Sequence, residues 1–200
     1  MSLLVLPEGS DVEQIVSAKN RLRQYDFLED SFRVWQAGHG FKVDRRFMCE
    51  LNFYAVQYLS PSPGITRDIT QGNVTVGQYV PPQWHEVDAH LDQFFAKLEE
   101  MQGSSCGPID IAAYALWRTN WIHPFVQGNG RTARALSYFV LCQKLGYWPP
   151  GQTIPERIRS TRQEYCDLLM GADASAKPDG TTNLGPLADY LSRLLTRQLS

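Results

Sequence analysis

The residues best suited to chemistry lie together in "WIHPFVQGNGRTARAL", residues 121–136. His123 stands ahead of a glycine-asparagine-glycine turn, Gly128, Asn129 and Gly130, and Arg131 and Arg134 follow it. The first amides of a helix lack intrahelical partners and sit at the positive end of its dipole. Glycine lets the backbone aim such amides at one point, so a helix starting here makes a concave anion nest. Arg131 and Arg134 are three residues apart and share one face of the first turn. Their planar forks suit phosphate oxygens. A single phosphate does not need a nest and two guanidiniums; a di- or triphosphate does. His123 beside it suits a general base, because an imidazole is neutral near working pH. Phe125 is an apolar anchor that tucks the loop into the core and fixes the imidazole's direction.

Each part also has a plainer reading. A histidine at a helix end is more often structural, a GNG sequence is often only a turn, and arginines in a first turn are usually solvated. The first turn is, however, the wrong end of the dipole for cations. That mismatch, and the coincidence of all the parts, favours an anion site.

The elements that must position this loop read as helices. Residues 11–36 carry Val12, Ile15, Val16, Leu22, Tyr25, Leu28, Phe32 and Trp35 at helical spacing, with room for one break. Asp44 is an N-cap for a second helix with Phe47, Met48, Leu51, Tyr54, Ala55 and Tyr58 on its apolar face. "ITRDITQGNVTVG" then changes period and predicts a β-hairpin of residues 65–70 with 73–76, turning at Gln71-Gly72. Helices follow from "VPPQW" through Met101, over about 109–122 and 130–145, and over 154–170 and 186–199. "GADASAKPDGTTNLG" between the last two reads as a loop. The sum is a mainly α bundle of about six to eight helices with one β-hairpin.

A chain of 200 residues fits a single domain, 1–200, with enough core to need no disulfide or structural metal. The net charge of −2 gives no bulk reason to expect nucleic acid or an anionic membrane. No apolar run approaches membrane-spanning length, and the N-terminal residues lack a secretory pattern, so the cytoplasm is the default location. Cys49, Cys106, Cys142 and Cys166 follow no metal-ligand spacing and read as buried, reduced thiols. "HEVDAH" puts its histidines five apart, off a common helical face, which argues against zinc. Trp117 and Trp121 read as core packing. The last helix reads as a packing helix, with a homodimer contact as the alternative.

"HPFVQGNGRTAR" closely resembles the signature of the Fic family, His-x-Phe-x-Asp/Glu-Gly-Asn-Gly-Arg-x-x-Arg, and departs from it only at Gln127. "SPGITRDITQGNVTVGQYVPP" resembles the family's flap, and "RQEYCDLL" resembles a later family helix. The resemblance covers about residues 40–170, with 1–39 an N-terminal helical region and 171–200 a loop plus C-terminal helix. It implies a Fic fold and protein AMPylation, the transfer of AMP from ATP to a Tyr, Thr or Ser hydroxyl of a target protein. By position it makes His123 the general base and gives Phe125, Gly128, Asn129, Gly130, Arg131 and Arg134 to the nucleotide site. It makes Gly64, Ile65, Thr66, Arg67, Asn73, Val74, Thr75 and Val76 the target-docking flap.

The signature's carboxylate ligates Mg²⁺, a hard cation that favours charged oxygen. Gln127 offers an uncharged amide, so Mg²⁺ is expected to be weakly held. Three outcomes are open: AMP transfer with Mg²⁺ carried on the phosphates, use of another phosphate-containing donor, or nucleotide or peptide binding without chemistry. The family's inhibitory Ser/Thr-x-x-x-Glu-Gly/Asn motif is missing, because Ser160 and Glu164 are followed by Tyr165. Inhibition is then expected from a separate antitoxin chain presenting a Glu to Arg134, or is absent.

Overall fold

A computed structural model describes residue 6, residues 9–177 and residues 181–200. Within them are eight α-helices: α1 (Asp11–Gln36), α2 (Arg45–Val56), α3 (Val87–Gly103), α4 (Pro108–Ile122), α5 (Asn129–Leu145), α6 (Ile154–Ser160), α7 (Arg162–Ser175) and α8 (Gly185–Leu199). A 3₁₀ turn, Trp84–Glu86, leads into α3.

α5 is the axis. Its residues Ala133, Leu136, Phe139 and Val140 are fully buried, and α1, α2, α4 and α6 pack around it. Phe139 gathers an aromatic cluster with Phe32 of α1, Phe41 of the segment between α1 and α2, and Phe47 of α2 (ring centroids 4.6–6.3 Å away). Burying such rings contributes roughly 1.5–3 kcal/mol each. α8 lies against α4, α6 and α7 and buries Leu187, Tyr190, Leu191 and Leu194, so its apolar stripe is used inside the chain.

Helix starts follow their caps. Asp44 Oδ1 accepts from the Phe47 amide at 2.9 Å, as its position predicts. Ser10 Oγ accepts from the Glu13 amide at the start of α1. α1 is unbroken, and its buried side differs from the predicted stripe. Val12, Ile15 and Leu22 are exposed, while Asn20 and Gln24 are buried and donate to the carbonyls of Gln57 and Leu51. Polar side chains can replace apolar ones there because each finds a backbone acceptor across the helix interface.

Three further expectations are corrected. The helix predicted over 154–170 is two, separated at Thr161. Its hydroxyl meets the Arg157 carbonyl and Tyr190 Oη, an alternative to the helical ladder for a β-branched residue. The loop predicted from Gly171 begins at Ala176, since α7 runs to Ser175; residues 178–180 lie outside the described residues. The predicted hairpin ladder between 65–70 and 73–76 does not form. Asp68 accepts from the Thr70 amide at 2.7 Å and the Gly72 amide donates to the Asp68 carbonyl at 2.8 Å, closing a turn that uses up the ladder's groups. Val76 pairs instead with Tyr79 across Gly77, whose φ is +61°. The flap is thus an irregular excursion. Of the cysteines all four are free, but only Cys142 is buried.

Candidate active site

The catalytic-type loop spans the gap between α4 and α5. His123 is the C-cap of α4, with φ 51° and ψ 56°, which turns its side chain off the helix axis. Its Nδ1 lies 3.2 Å from the Asn120 carbonyl oxygen. A carbonyl can only accept, so Nδ1 carries the proton and Nε2 is left with its lone pair. Burial pushes the imidazole down to about 4; the bond to Asn120 opposes this and the Arg67 cation adds to it. His123 is therefore a neutral base near pH 7.

Phe125 is buried at the floor of the loop. Asn129 is buried too and closes the loop on itself: its Oδ1 accepts from the Phe125 amide at 2.9 Å and its Nδ2 donates to the Phe125 carbonyl at 2.7 Å. The Asn129 side chain is a brace, and its backbone amide is what it can offer a phosphate. Gly128 has φ +83°, and a Cβ there would lie 2.4 Å from Val56 Cγ1. Only glycine fits this position, against α2 and directly before the first turn of α5. Val126 and Gln127 stand exposed at the tip.

Arg131 donates from Nη1 to the Ala55 carbonyl at 2.7 Å. Burial, and then the neighbouring Arg134 and Arg21, disfavour its charge. Arg134 lies over the Tyr165 ring, 6.0 Å from its centroid, and Tyr165 Oη accepts from Asn120 at 2.8 Å. Both arginines line one cavity of about 570 Å³ between α1, α5 and α6. The structure thus brings His123, the glycine turn and both arginines to one end of α5.

The flap residues divide. Ile65 and Val76 are exposed, as docking residues must be, and so is Ile69. Gly64 and Arg67 are not presented to a partner. Gly64 has φ +74° and lies so close to α2 that a Cβ would meet the Cys49 carbonyl oxygen at 2.9 Å. Arg67 is 2% exposed; it donates to the carbonyls of His123 at 2.8 Å, Pro82 at 2.9 Å and Ile122 at 3.3 Å. Its place in a docking surface is corrected: α4 ends with carbonyls lacking helical partners, and a buried cation satisfies two of them. The Arg67 amide also donates to Pro124, and Thr66 pairs with Phe125. Thr75 is exposed, Val74 is half-buried, and the Asn73 side chain accepts from the Trp84 amide.

Two residues of the site go unmentioned in a reading by motif. Tyr79 Oη donates to the Trp121 carbonyl at 2.7 Å, a third cap on α4. Asn52, fully buried on α2, donates to the Gln127 carbonyl at 2.9 Å and Thr132 Oγ1 at 3.2 Å, and accepts from the Gly64 amide at 3.0 Å. The available signal was a lone amide inside the stripe Met48, Leu51, Ala55.

For Mg²⁺ the residues present do not fit a protein-held ion. Gln127 supplies an amide, and among the described residues no three His, Cys, Asp or Glu side chains converge.

The pattern of the Fic/DOC family matches residues 42–141. Over 124 residues the chain is 32% identical to the protein adenylyltransferase Fic of Drosophila persimilis, a stretch covering 62% of this chain and 23% of that protein. It therefore spans about a quarter of the length of the curated relatives it matches. A Fic domain containing signalling protein from Bacteroides thetaiotaomicron superposes with a TM-score of 0.71 at 24% identity, covering 90% of this chain and 70% of the other. Fic-1 from C. elegans superposes with a TM-score of 0.71 at 21% identity, covering 98% and 54%. Among the described residues no helix is long and apolar enough to cross a membrane.

Proposed function

The chain belongs to the Fic/DOC family, and on that premise we propose that it transfers AMP from ATP to a Tyr, Thr or Ser hydroxyl of a target protein. One juxtaposition carries the reading: a neutral imidazole with Nε2 unprotonated stands beside a helix start flanked by Arg131 and Arg134. The target hydroxyl gives its proton to His123 Nε2 as its oxygen bonds to the α-phosphorus. The bond from that phosphorus to the bridging oxygen breaks, and pyrophosphate leaves. The amides of Gly128, Asn129 and Gly130 hold the phosphates, and Arg131 and Arg134 take up the charge that develops on the leaving group. Mg²⁺ in this reading arrives on the nucleotide. The exposed Ile65, Ile69 and Val76, with the backbone between them, hold the target segment. A separate acidic antitoxin helix restrains the enzyme through Arg134.

Gln127 favours a second reading: a Fic-type protein that uses another phosphate-containing donor, or that binds nucleotide or peptide without transfer. ATP labelled at the α- or γ-phosphate, incubated with target-bearing lysate, separates these. Label from the α-phosphate that disappears with His123→Ala supports AMP transfer; label from γ supports a different donor chemistry. Nucleotide binding with no transfer supports the binding module, and transfer that survives His123→Ala overturns the mechanism.

A further inference from the structure

The cavity beside the loop is lined by four arginines, two of which no signature includes. Arg131 and Arg134 come from α5, Arg21 from α1 and Arg159 from α6. Arg21 and Arg159 both lie outside the residues that match the family pattern, 42–141. Among the described residues, none of the four is in an ion pair. The one carboxylate in the lining, Glu156, already accepts from the amide and hydroxyl of Thr153, at 2.9 and 3.0 Å. Burial first, and then the neighbouring cations, disfavours charge here: Arg159 acts on Arg21, and Arg134 and Arg21 act on Arg131, where Glu13 opposes them. Four guanidiniums surround one space whose lining holds a single carboxylate, so an anion taken up there lowers their mutual repulsion.

We infer that this cavity is a phosphate-chain site in which Arg21 and Arg159 extend the pair Arg131 and Arg134. The inference rests on the proposed role of the loop in receiving phosphates, and adds two residues to it. Three observations set the ligand class. Guanidinium forks grip phosphate oxygens two at a time. Each phosphate carries roughly one to two negative charges near neutral pH, so a chain of two or three phosphates matches four cations where one carboxylate does not. Arg131 and Arg134 line the cavity and also lie in the first two turns of α5, which begins at Asn129. A chain anchored at the turn and gripped by both arginines therefore reaches the cavity that they line. The extra cations also offset what Gln127 omits, the carboxylate that would hold a metal against the same phosphates. The source of the chain is either the tail of a nucleoside triphosphate or a free inorganic one, such as the pyrophosphate released by transfer.

Calorimetric titrations in EDTA test this with inorganic tripolyphosphate, pyrophosphate, ATP and AMP. Arg21 and Arg159 are exposed, so Arg21→Gln and Arg159→Gln leave the fold intact. Each is expected to weaken tripolyphosphate and ATP about three- to tenfold, with a smaller effect on AMP. Arg46→Gln, an exposed arginine paired with Glu50 on α2, is expected to change nothing. Equal losses with ATP and tripolyphosphate leave either source open to the site. A loss with pyrophosphate and tripolyphosphate but not with ATP assigns it to the free chain. If Arg134→Gln abolishes binding while Arg21→Gln and Arg159→Gln keep full affinity, the loop reading stands and this inference falls. If the unmodified protein binds none of the four, both fall. Equal weakening by Arg46→Gln reduces the effect to general charge and overturns the site.

Discussion

Arg67 Nε donates to the backbone carbonyl of His123 at 2.8 Å, from the base of the flap to the catalytic-type residue. The same guanidinium holds Ile122 and Pro82. The base of the flap and the end of α4 that carries the histidine are therefore joined through one side chain. Replacing Arg67 by Gln leaves at least two buried carbonyls without donors. We expect a loss of about 2–3 kcal/mol in urea unfolding. Arg67→Lys, a point charge without the fork, should restore only part of it.

The neutrality of His123 sets a pH dependence. Burial holds its imidazole at about 4 in the native protein, against 6.5 as the ordinary value. Between those values the unfolded chain binds a proton that the native protein does not. The stability tied to His123 is thus full above about 6.5 and is lost as the pH falls toward 4. An NMR titration should place the His123 midpoint well below 6.5 in the free protein. Added nucleotide should raise it, because nearby phosphates favour the imidazolium. Arg67→Gln should also raise it, by removing a cation. A midpoint at or above 6.5 in the free protein would refute the buried-base geometry.

Asn52 gives a sharper test of how the loop is held. It joins the flap at Gly64, the loop at Gln127 and α5 at Thr132 through one side chain. Asn52→Leu keeps the size and removes every one of these bonds. The Gln127 carbonyl and the Gly64 amide lose their partner, so about 2–3 kcal/mol should be lost. Hydrogen exchange should speed up at Gly64 and near Gly128 while the amides of α4 stay protected. Uniform acceleration across α4 and α5 would mean that Asn52 supports the whole core instead.

These tests separate what could be read from the sequence from what could not. The helices at the site were legible because their apolar stripes repeat at helical spacing and Asp44 is a local cap. The loop was legible because Gly128, Asn129, Gly130 and the arginines act within one turn of backbone. Arg67 was not: it sits in a Thr- and Ile-rich stretch that reads as an exposed strand, and two of its three side-chain acceptors are 55 and 56 residues away. Asn129 reads as a phosphate ligand, but its amide fits the Phe125 backbone on both sides. Arg21 gave no local signal, because its meaning depends on α1 being packed beside α5.

Gln127 is the residue on which the chemistry turns. It is exposed at the loop tip, and its carbonyl is tied to Asn52, so its side chain is free to change without disturbing the fold. Gln127→Glu adds a carboxylate where the family signature has one. A carboxylate beside nucleotide phosphates recruits Mg²⁺, whereas an amide has no charge to do so. Unfolding stability should change by less than about 0.5 kcal/mol, as for an ordinary surface substitution. If the chain is an AMP transferase working with a metal borne only on the nucleotide, the variant should transfer label faster and at lower Mg²⁺. The gain should be roughly tenfold, the scale of one moderately placed charge in a phosphoryl-transfer site. A drop in activity would show instead that the carboxylate repels the donor's phosphates, and that Gln127 belongs to a site whose cations, Arg21 and Arg159 among them, already carry that charge. Measuring transfer across a Mg²⁺ series in both proteins distinguishes the two.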